Sequence, residues 1–308
     1  YSDRSEADLA ASLERIMAEL AQPAVDEFSP LELSSLNFQS HIEQAAFEKM
    51  VEEARSLIRQ GDMFQCVLSQ RFSAEYSGRP LDYYRNLRVT NPSNYLYFYD
   101  FGDYQIIGAS PESLVSVKQG QVTTNPIAGT RPRGKDERED KALAEELLAD
   151  EKEVAEHRML VDLGRNDIGK IAQNNSVEVT KYMEVEYFRY VMHLTSVVRG
   201  QLLPQLTAMD ALKSTLPAGT VSGAPKIRAM KRIYELEQEK RGVYAGAIGY
   251  LSATGDMDFA IAIRTMILKN GRAYVQAGAG IVYDSIPANE YKETINKAKS
   301  MTKIGEMQ

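Results

Sequence analysis

Apolar residues recur along this chain with two different periods. In residues 6–20, Leu9, Leu13, Ile16, Met17 and Leu20 return every three or four positions, which predicts an amphipathic helix. A second such run extends from about Gln44 to Arg59 and stops at Gly61. The turn-rich stretch PAVDEFSPLELSS between them reads as a connector. After Gly61 the text changes to short β-branched and aromatic runs (MFQCVLSQRFSAEY, NYLYFYDF, YQIIGAS, SLVSVKQG and QVTTNPIAG), which predict an antiparallel sheet. Helical spacing returns from about Lys135 to Leu163, in LTAMDALKSTLP, in GAPKIRAMKRIYELEQEKR and at the C-terminal end. Strand patterns fill SVEVTKYMEVEYFRYVMHLTSVVRGQ, GVYAGAIGYLSATG and DMDFAIAIRTMILKNGRAYVQAGAGIVY. Clustered strands with helices set among them predict an α+β fold, not a doubly wound parallel sheet.

Two of these helices carry charge on an apolar face. On a wheel of about 100° per residue, Glu153, Glu156, Leu160 and Leu163 fall in one sector of about 80°. Near the other end, Glu290, Glu293, Lys297, Met301 and Ile304 form a second mixed stripe. Like charges at this spacing repel by a few tenths of a kcal/mol even when solvated, and unpaired burial costs far more. Either the carboxylates face water, or the two helices bracket a cation.

Composition narrows the chemistry. The 308 residues are 44% hydrophobic and 26% charged, an ordinary globule, and the net charge of −7 argues against nucleic acid or an anionic membrane as partner. The one cysteine, Cys66, allows no intrachain disulfide. It reads as a small buried hydrophobe. No leader or long apolar run is readable, so the expected compartment is the cytoplasm. The chain opens YSDRSEAD without Met, and a missing upstream part is expected.

Three histidines without H-E-x-x-H or C-x-x-C disfavour a zinc hydrolase, and neither glutamate pair has the E-x-x-H of a carboxylate-bridged iron site. Paired glutamates suit Mg²⁺, which keeps several waters and leaves room for an anionic substrate. AGAGIVYD could offer backbone N–H groups to a carboxylate or mark a strand-end turn. PAGTVSGAPK lacks the order of a nucleotide P-loop. Arg264 in FAIAIRTMI is either an exposed strand residue or a buried anion clamp. His193 in YVMHLTSVV is either a core imidazole or an acid–base group.

The motifs GDMFQCVLSQRF, GASPESL, PIAGTRPRG, EVAEHRMLVDLGRNDIG, LPAGTVSGAPK, YAGAIGY, AIRTM, AGAGIVYDS and EYKETINKA, in that order, resemble the chorismate-utilising enzymes, and within them the large subunits of anthranilate synthases. The resemblance implies two packed antiparallel sheets flanked by helices, with residues 1–46 as a remnant N-terminal region and connector and 47–308 as the chorismate-binding catalytic domain. It further implies that Glu156 and Glu293 hold Mg²⁺ with Glu153 and Glu290 behind them, and that the ion meets the ring carboxylate of chorismate.

By the same resemblance, Tyr244 and Arg264 would grip the enolpyruvyl carboxylate. Gly278, Gly280 and Thr220 would supply close contacts, and Lys297 positive charge. Glu112 would protonate the departing C4 hydroxyl, His193 would serve pyruvate elimination, and Thr130 would lie beside the ring. Relatives that activate water have a lysine where this chain has Gln65, and many aminodeoxychorismate synthases have one at Ala128, so direct attack by ammonia is the implied route. The ammonia would come from a separate glutamine amidotransferase subunit. A feedback site for tryptophan is implied at Asn91, Pro92, Tyr95, Leu96, Gly249 and Tyr250, completed by an N-terminal segment; Asn94, where proline is common, weakens that expectation. Alternatives are release of aminodeoxyisochorismate, an aminodeoxychorismate synthase component I, and an inactive homologue.

Overall fold

The computed structural model describes residues 5–22, 36–188, 191–237 and 239–302. Its strands in chain order are β1 (Gln39–Ser40), β2 (Gln65–Glu75), β3 (Tyr95–Asp100), β4 (Tyr104–Ser110), β5 (Ser113–Lys118), β6 (Gln121–Thr124), β7 (Ile127–Pro132), β8 (Glu178–Tyr187), β9 (Val191–Gln201), β10 (Gly223–Ala224), β11 (Ala247–Leu251), β12 (Met257–Ile261), β13 (Thr265–Lys269) and β14 (Arg272–Ile281). The helices are α1 (Glu6–Ala21), α2 (Gln44–Arg59), α3 (Pro80–Thr90), α4 (Glu137–Ala149), α5 (Glu151–Gly169), α6 (Ala208–Thr215), α7 (Lys226–Leu236) and α8 (Pro287–Thr302).

The strands form two seven-stranded sheets, paired antiparallel throughout the described residues. The first runs β1-β2-β14-β13-β4-β3 with β10 on β2; the second runs β11-β12-β5-β6-β9-β7 with β8 on β9. Helix α2 buries Phe47, Val51, Ala54 and Ile58, a stripe at helical spacing, against Cys66, Leu68, Ala279 and Ile281 of β2 and β14. Burying each large side chain there stabilises by about 1.5–3 kcal/mol. Burial also pushes the Cys66 thiol up to about 12, which suits a packing role and not a nucleophile. The second sheet packs Val115, Val117 and Val198 against Val161 and Ile168 of α5.

Three features depart from the sequence pattern. The helix expected over 135–163 is two helices, broken at Asp150, whose carboxylate takes the backbone N–H groups of Lys152 (3.1 Å) and Glu153 (3.2 Å). No glycine or proline marks this break; the aspartate side chain supplies it by competing for the backbone. The sheet begins at Gln39, and Leu36 and Phe38 pack against the core, ahead of the boundary expected at residue 47. The connector expected over PAVDEFSPLELSS is residues 23–35, outside the described residues.

The third departure positions the site. The continuous strand read in DMDFAIAIRTMIL is broken at Ala262–Arg264: β12 belongs to the second sheet and β13 to the first. The chain also changes sheet at Pro111–Glu112, between β4 and β5. These crossings are tied to each other, Ala109 N–H donating to Arg264 O and Ile261 N–H to Glu112 O, each at 3.0 Å. Arg264 has φ +49, a left-handed conformation uncommon for a residue with a side chain, and it turns the chain out of strand geometry at the seam.

Candidate active site

A cavity of about 1000 Å³ opens at this seam, walled by both sheets, α5 and α8. Glu153 and Glu156 enter it from α5, and Glu290 and Glu293 from α8, so the two acidic stripes do converge on one space. Met301, on the same stripe of α8, sits instead in the core; Ile304 lies outside the described residues. Burial raises the pKa of Glu153, with the charges of Glu156 and Asp150 adding to it. Burial likewise raises Glu290, opposed by a hydrogen bond from Ser285 and reinforced by Glu293. Lys152 of α5 acts electrostatically on Glu290 of α8, a measure of how near the helix ends lie.

Glu156 Oε1 accepts a hydrogen bond from Gln65 Nε2 at 3.1 Å, and Glu293 Oε1 pairs with Lys297 Nζ at 2.6 Å. Among the described residues no three His, Cys, Asp or Glu side chains cluster tightly enough to cage an ion unaided. Mg²⁺ does not require such a cage, since it takes one or two protein carboxylates and fills its octahedron with water and substrate oxygens. Two pairs of mutually repelling, partly desolvated carboxylates around an open cavity fit an ion of that kind.

Cations line the same cavity. Arg264 lines the cavity, burial works against its charge, and its guanidinium makes no side-chain hydrogen bond or ion pair among the described residues. Of the two sequence readings, the structure therefore supports the desolvated cation over the exposed strand residue. Tyr244 stands beside it, its phenol pushed up to about 12 by burial, with the Arg241 guanidinium 5.5 Å from the ring centroid. Lys297 also donates to Gly278 O at 3.1 Å.

Glu112 sits at the sheet crossing with its carboxyl turned into the cavity. Burial lifts its pKa to about 7; a hydrogen bond from Thr220 Oγ1 (2.8 Å) and the charge of Lys297 pull the other way. A carboxyl poised near neutrality can release a proton to a leaving group and be replenished at the same pH. Thr220 thus spends its hydroxyl on Glu112.

On the third side, β7 bulges against β9 at Gly129, φ +70, and so presents Ala128 and Thr130 to the cavity. His193 Nδ1 lies 2.9 Å from Gly129 O and 3.1 Å from Thr130 Oγ1. A carbonyl only accepts, so Nδ1 carries the proton and Nε2 of the neutral ring keeps its lone pair. The core imidazole of this protein is instead His157, fully buried with Nε2 2.6 Å from Ser196 Oγ.

Gly278 and Gly280 lie inside β14, paired with Ser69 and Val67, and not at the strand-end turn the sequence left open. A Cβ on Gly278 would come within 2.6 Å of the Tyr244 hydroxyl, and one on Gly280 within 2.6 Å of Gln65 Nε2. The glycines are there to let those side chains in.

The expected tryptophan residues divide. Asn91 and Pro92 line the main cavity. Tyr95 donates to Asp258 Oδ1 at 3.0 Å at the edge shared with Gly249 and Tyr250 of β11, while Leu96 packs into the core of the first sheet. Sequence reasoning missed Phe188, whose ring meets His193 edge-on at 5.4 Å, and Lys152; one more aromatic in EYFRYVM and one lysine in DEKE carry no distinguishing signal.

The geometry has counterparts. A family model described as chorismate binding enzyme matches residues 2–303. Anthranilate synthase component 1 of Lactococcus lactis subsp. lactis (strain IL1403) is 59% identical over 306 residues, 99% of this chain and 67% of that protein. Among solved structures, anthranilate synthase component I from Streptococcus pneumoniae TIGR4 superposes with TM-score 0.92 at 77% identity, covering 98% of this chain and 67% of that one. The menaquinone-specific isochorismate synthase MenF from Escherichia coli superposes with TM-score 0.83 at 25% identity, covering 98% and 69%. The chain spans 67% of the length of that Lactococcus protein and 53% of anthranilate synthase component 1 of Acetivibrio thermocellus. With the family model matching nearly its whole length and these relatives beside it, the chain belongs to the chorismate binding enzyme family.

Proposed function

We propose that this chain is the catalytic part of an anthranilate synthase, aminating chorismate at C2 with ammonia and then eliminating pyruvate to give anthranilate, a step of tryptophan biosynthesis. The observation that carries this reading is the pairing, in one cavity, of a carboxyl held near pH 7 at Glu112 with the unpaired, desolvated cation of Arg264. An acid for a hydroxyl leaving group and a clamp for a carboxylate are what such a substrate needs.

In this reading Arg264 and Tyr244 hold the enolpyruvyl carboxylate, with Lys297 close by. Glu156 and Glu293 hold Mg²⁺, supported by Glu153 and Glu290. Bound there, the ion supplies charge neutralisation and orientation at the ring carboxylate. The lone pair of ammonia forms the bond to C2, the ring double bonds shift, and the C4–O bond breaks as Glu112 passes its proton to the departing hydroxide. Gln65 and Ala128 stand where some relatives have lysine, so neither a base for water nor a covalent amine is offered. His193, anchored through Nδ1, presents Nε2 for the elimination of pyruvate, and Thr130 holds that imidazole.

A glutamine amidotransferase subunit is the proposed ammonia source, and tryptophan acting through Tyr95, Gly249 and Tyr250 the proposed inhibitor. No helix among the described residues is long and apolar enough to cross a membrane, and the cytoplasm is the proposed compartment. Incubation with chorismate, Mg²⁺ and ammonium tests the reading by anthranilate fluorescence. Accumulation of a non-aromatic amine would instead indicate a synthase that stops before elimination, and absence of any turnover would reject the proposal.

A further inference from the structure

Arg241 stands behind the reaction cavity, on a recess of about 290 Å³ that shares Tyr244 and Gln276 with it. Its guanidinium meets four residues at once. Nε and Nη2 donate to the two carboxylate oxygens of Glu237 at 2.8 and 2.7 Å, Nη1 donates to Val221 O at 2.6 Å, and Nη2 also donates to Val67 O at 2.7 Å. The same cation lies 5.5 Å from the centroid of the Tyr244 ring. The pair is largely buried, with the Glu237 side chain 6% and the Arg241 side chain 17% exposed, and Glu237 Oε1 in turn accepts from Ser69 N–H (2.7 Å) and Ser69 Oγ (2.9 Å).

A buried ion pair is a weak source of stability, because desolvation offsets much of its attraction; what such a pair fixes is geometry. Here the geometry reaches two groups that face the reaction cavity. Val221 adjoins Thr220 in the 3₁₀ turn Gly219–Val221, and Thr220 orients Glu112 through its 2.8 Å hydrogen bond. Tyr244 follows Arg241 around Gly242, φ +62, and its backbone N–H returns to Arg241 O at 3.2 Å, which folds the phenol back across the guanidinium. A planar fork with five donors serves a carboxylate, two carbonyls and a ring face together; a lysine ammonium does not.

We propose that Arg241 is a positioning residue for the reaction, setting from one guanidinium both the Thr220 turn that aims the Glu112 acid and the Tyr244 ring that grips the substrate carboxylate. This rests on the function proposed above. Arg241 touches no reacting atom. Displacing the turn misdirects the Glu112 proton from the departing oxygen, and tilting the ring loosens the carboxylate.

The test is initial-rate kinetics with ammonium chloride as nitrogen source, calorimetric titration with chorismate and melting temperatures on Arg241→Lys, which keeps the charge beside Glu237 and loses the fork. kcat should fall about tenfold or more and KM for chorismate rise about fivefold or more, with the calorimetric Kd rising alongside and the melting temperature within a few degrees of the unaltered protein. A role in folding alone would lower kcat through the folded fraction and leave KM and Kd where they were. In a Thr220→Val background the kcat loss from Arg241→Lys should shrink to about twofold or less, because the hydroxyl that Arg241 places is already gone. Glu237→Gln, of the same shape, should show both defects more weakly, and it carries the test if the lysine variant does not fold. Unchanged kcat and KM in a folded variant, strict additivity with Thr220→Val, or loss of cooperative melting in both Arg241→Lys and Glu237→Gln would each reject the proposal. If the unaltered protein gives no aminated product, the proposed function falls, and the Kd for chorismate still decides the Tyr244 arm.

Discussion

Thr220 donates its hydroxyl hydrogen to Glu112 Oε1 at 2.8 Å, across 108 positions of sequence. The bond favours the ionised carboxyl, yet burial outweighs it and leaves the pKa at about 7. Thr220 therefore orients the acid without making it a permanent anion, and its oxygen, which lines the cavity, keeps its lone pairs to accept a further hydrogen bond.

Replacing Glu112 by Gln should lower kcat/KM for chorismate by about 100-fold or more, the usual worth of a positioned acid. The same change has a stability signature of fixed sign. Because the folded-state pKa is raised above the ordinary 4.5, the group favours folding fully below 4.5 and loses that contribution as pH rises through about 7. Melting temperatures of the unaltered protein should fall between pH 5 and 8 more than those of Glu112→Gln; parallel curves would refute the buried-acid account.

Glu156→Gln and Glu293→Gln should each abolish Mg²⁺-dependent turnover while leaving the melting temperature within a few degrees, since both side chains are only partly buried. Calorimetric titration with Mg²⁺ should show weakened binding in both. EDTA should silence the unaltered protein and added Mg²⁺ restore it. Full activity in either variant would remove the metal assignment.

Arg264→Gly separates binding from strain. Losing the guanidinium should raise KM for chorismate by about tenfold or more, as expected for a charge-assisted hydrogen-bonding partner. Glycine accepts φ +49 without steric cost, and the desolvated charge is gone, so the melting temperature should hold or rise. Arg264→Lys, at the same φ but without the planar fork, should bind poorly with no gain in stability.

Gly278→Ala places a methyl 2.6 Å from the Tyr244 hydroxyl and 3.0 Å from Leu68 O. Denaturant melts should show a loss of about 1–3 kcal/mol, typical of overpacking. Adding Tyr244→Phe should recover part of it by removing the crowded oxygen; strict additivity of the two changes would show that the hydroxyl is not the contact responsible.

How much of this was legible beforehand differs by residue. The carboxylates of α5 and α8 were readable as odd members of apolar stripes, because helical periodicity maps sequence spacing directly onto a face. Their partner in the cavity, Arg264, was visible only as an irregularity in a strand. The break at Asp150 hid for the opposite reason: an aspartate at a helix start looks like any other acid in DEKE until its backbone partners are known.

The sequence by itself determined the α+β class, the burial of the α2 stripe and the resemblance that named the candidate residues, since these depend on local period and residue type. Only the tertiary structure decided that burial lifts the Glu112 carboxyl to about 7, that Arg264 turns inward at a sheet crossing, and that Gln65 meets Glu156 at the wall of the reaction cavity. Those properties come from desolvation and from pairings such as Ile261 with Glu112 and Gln65 with Glu156, which lie far apart in the chain. No window of sequence contains them, because the dielectric around a group is set by whatever the fold packs against it.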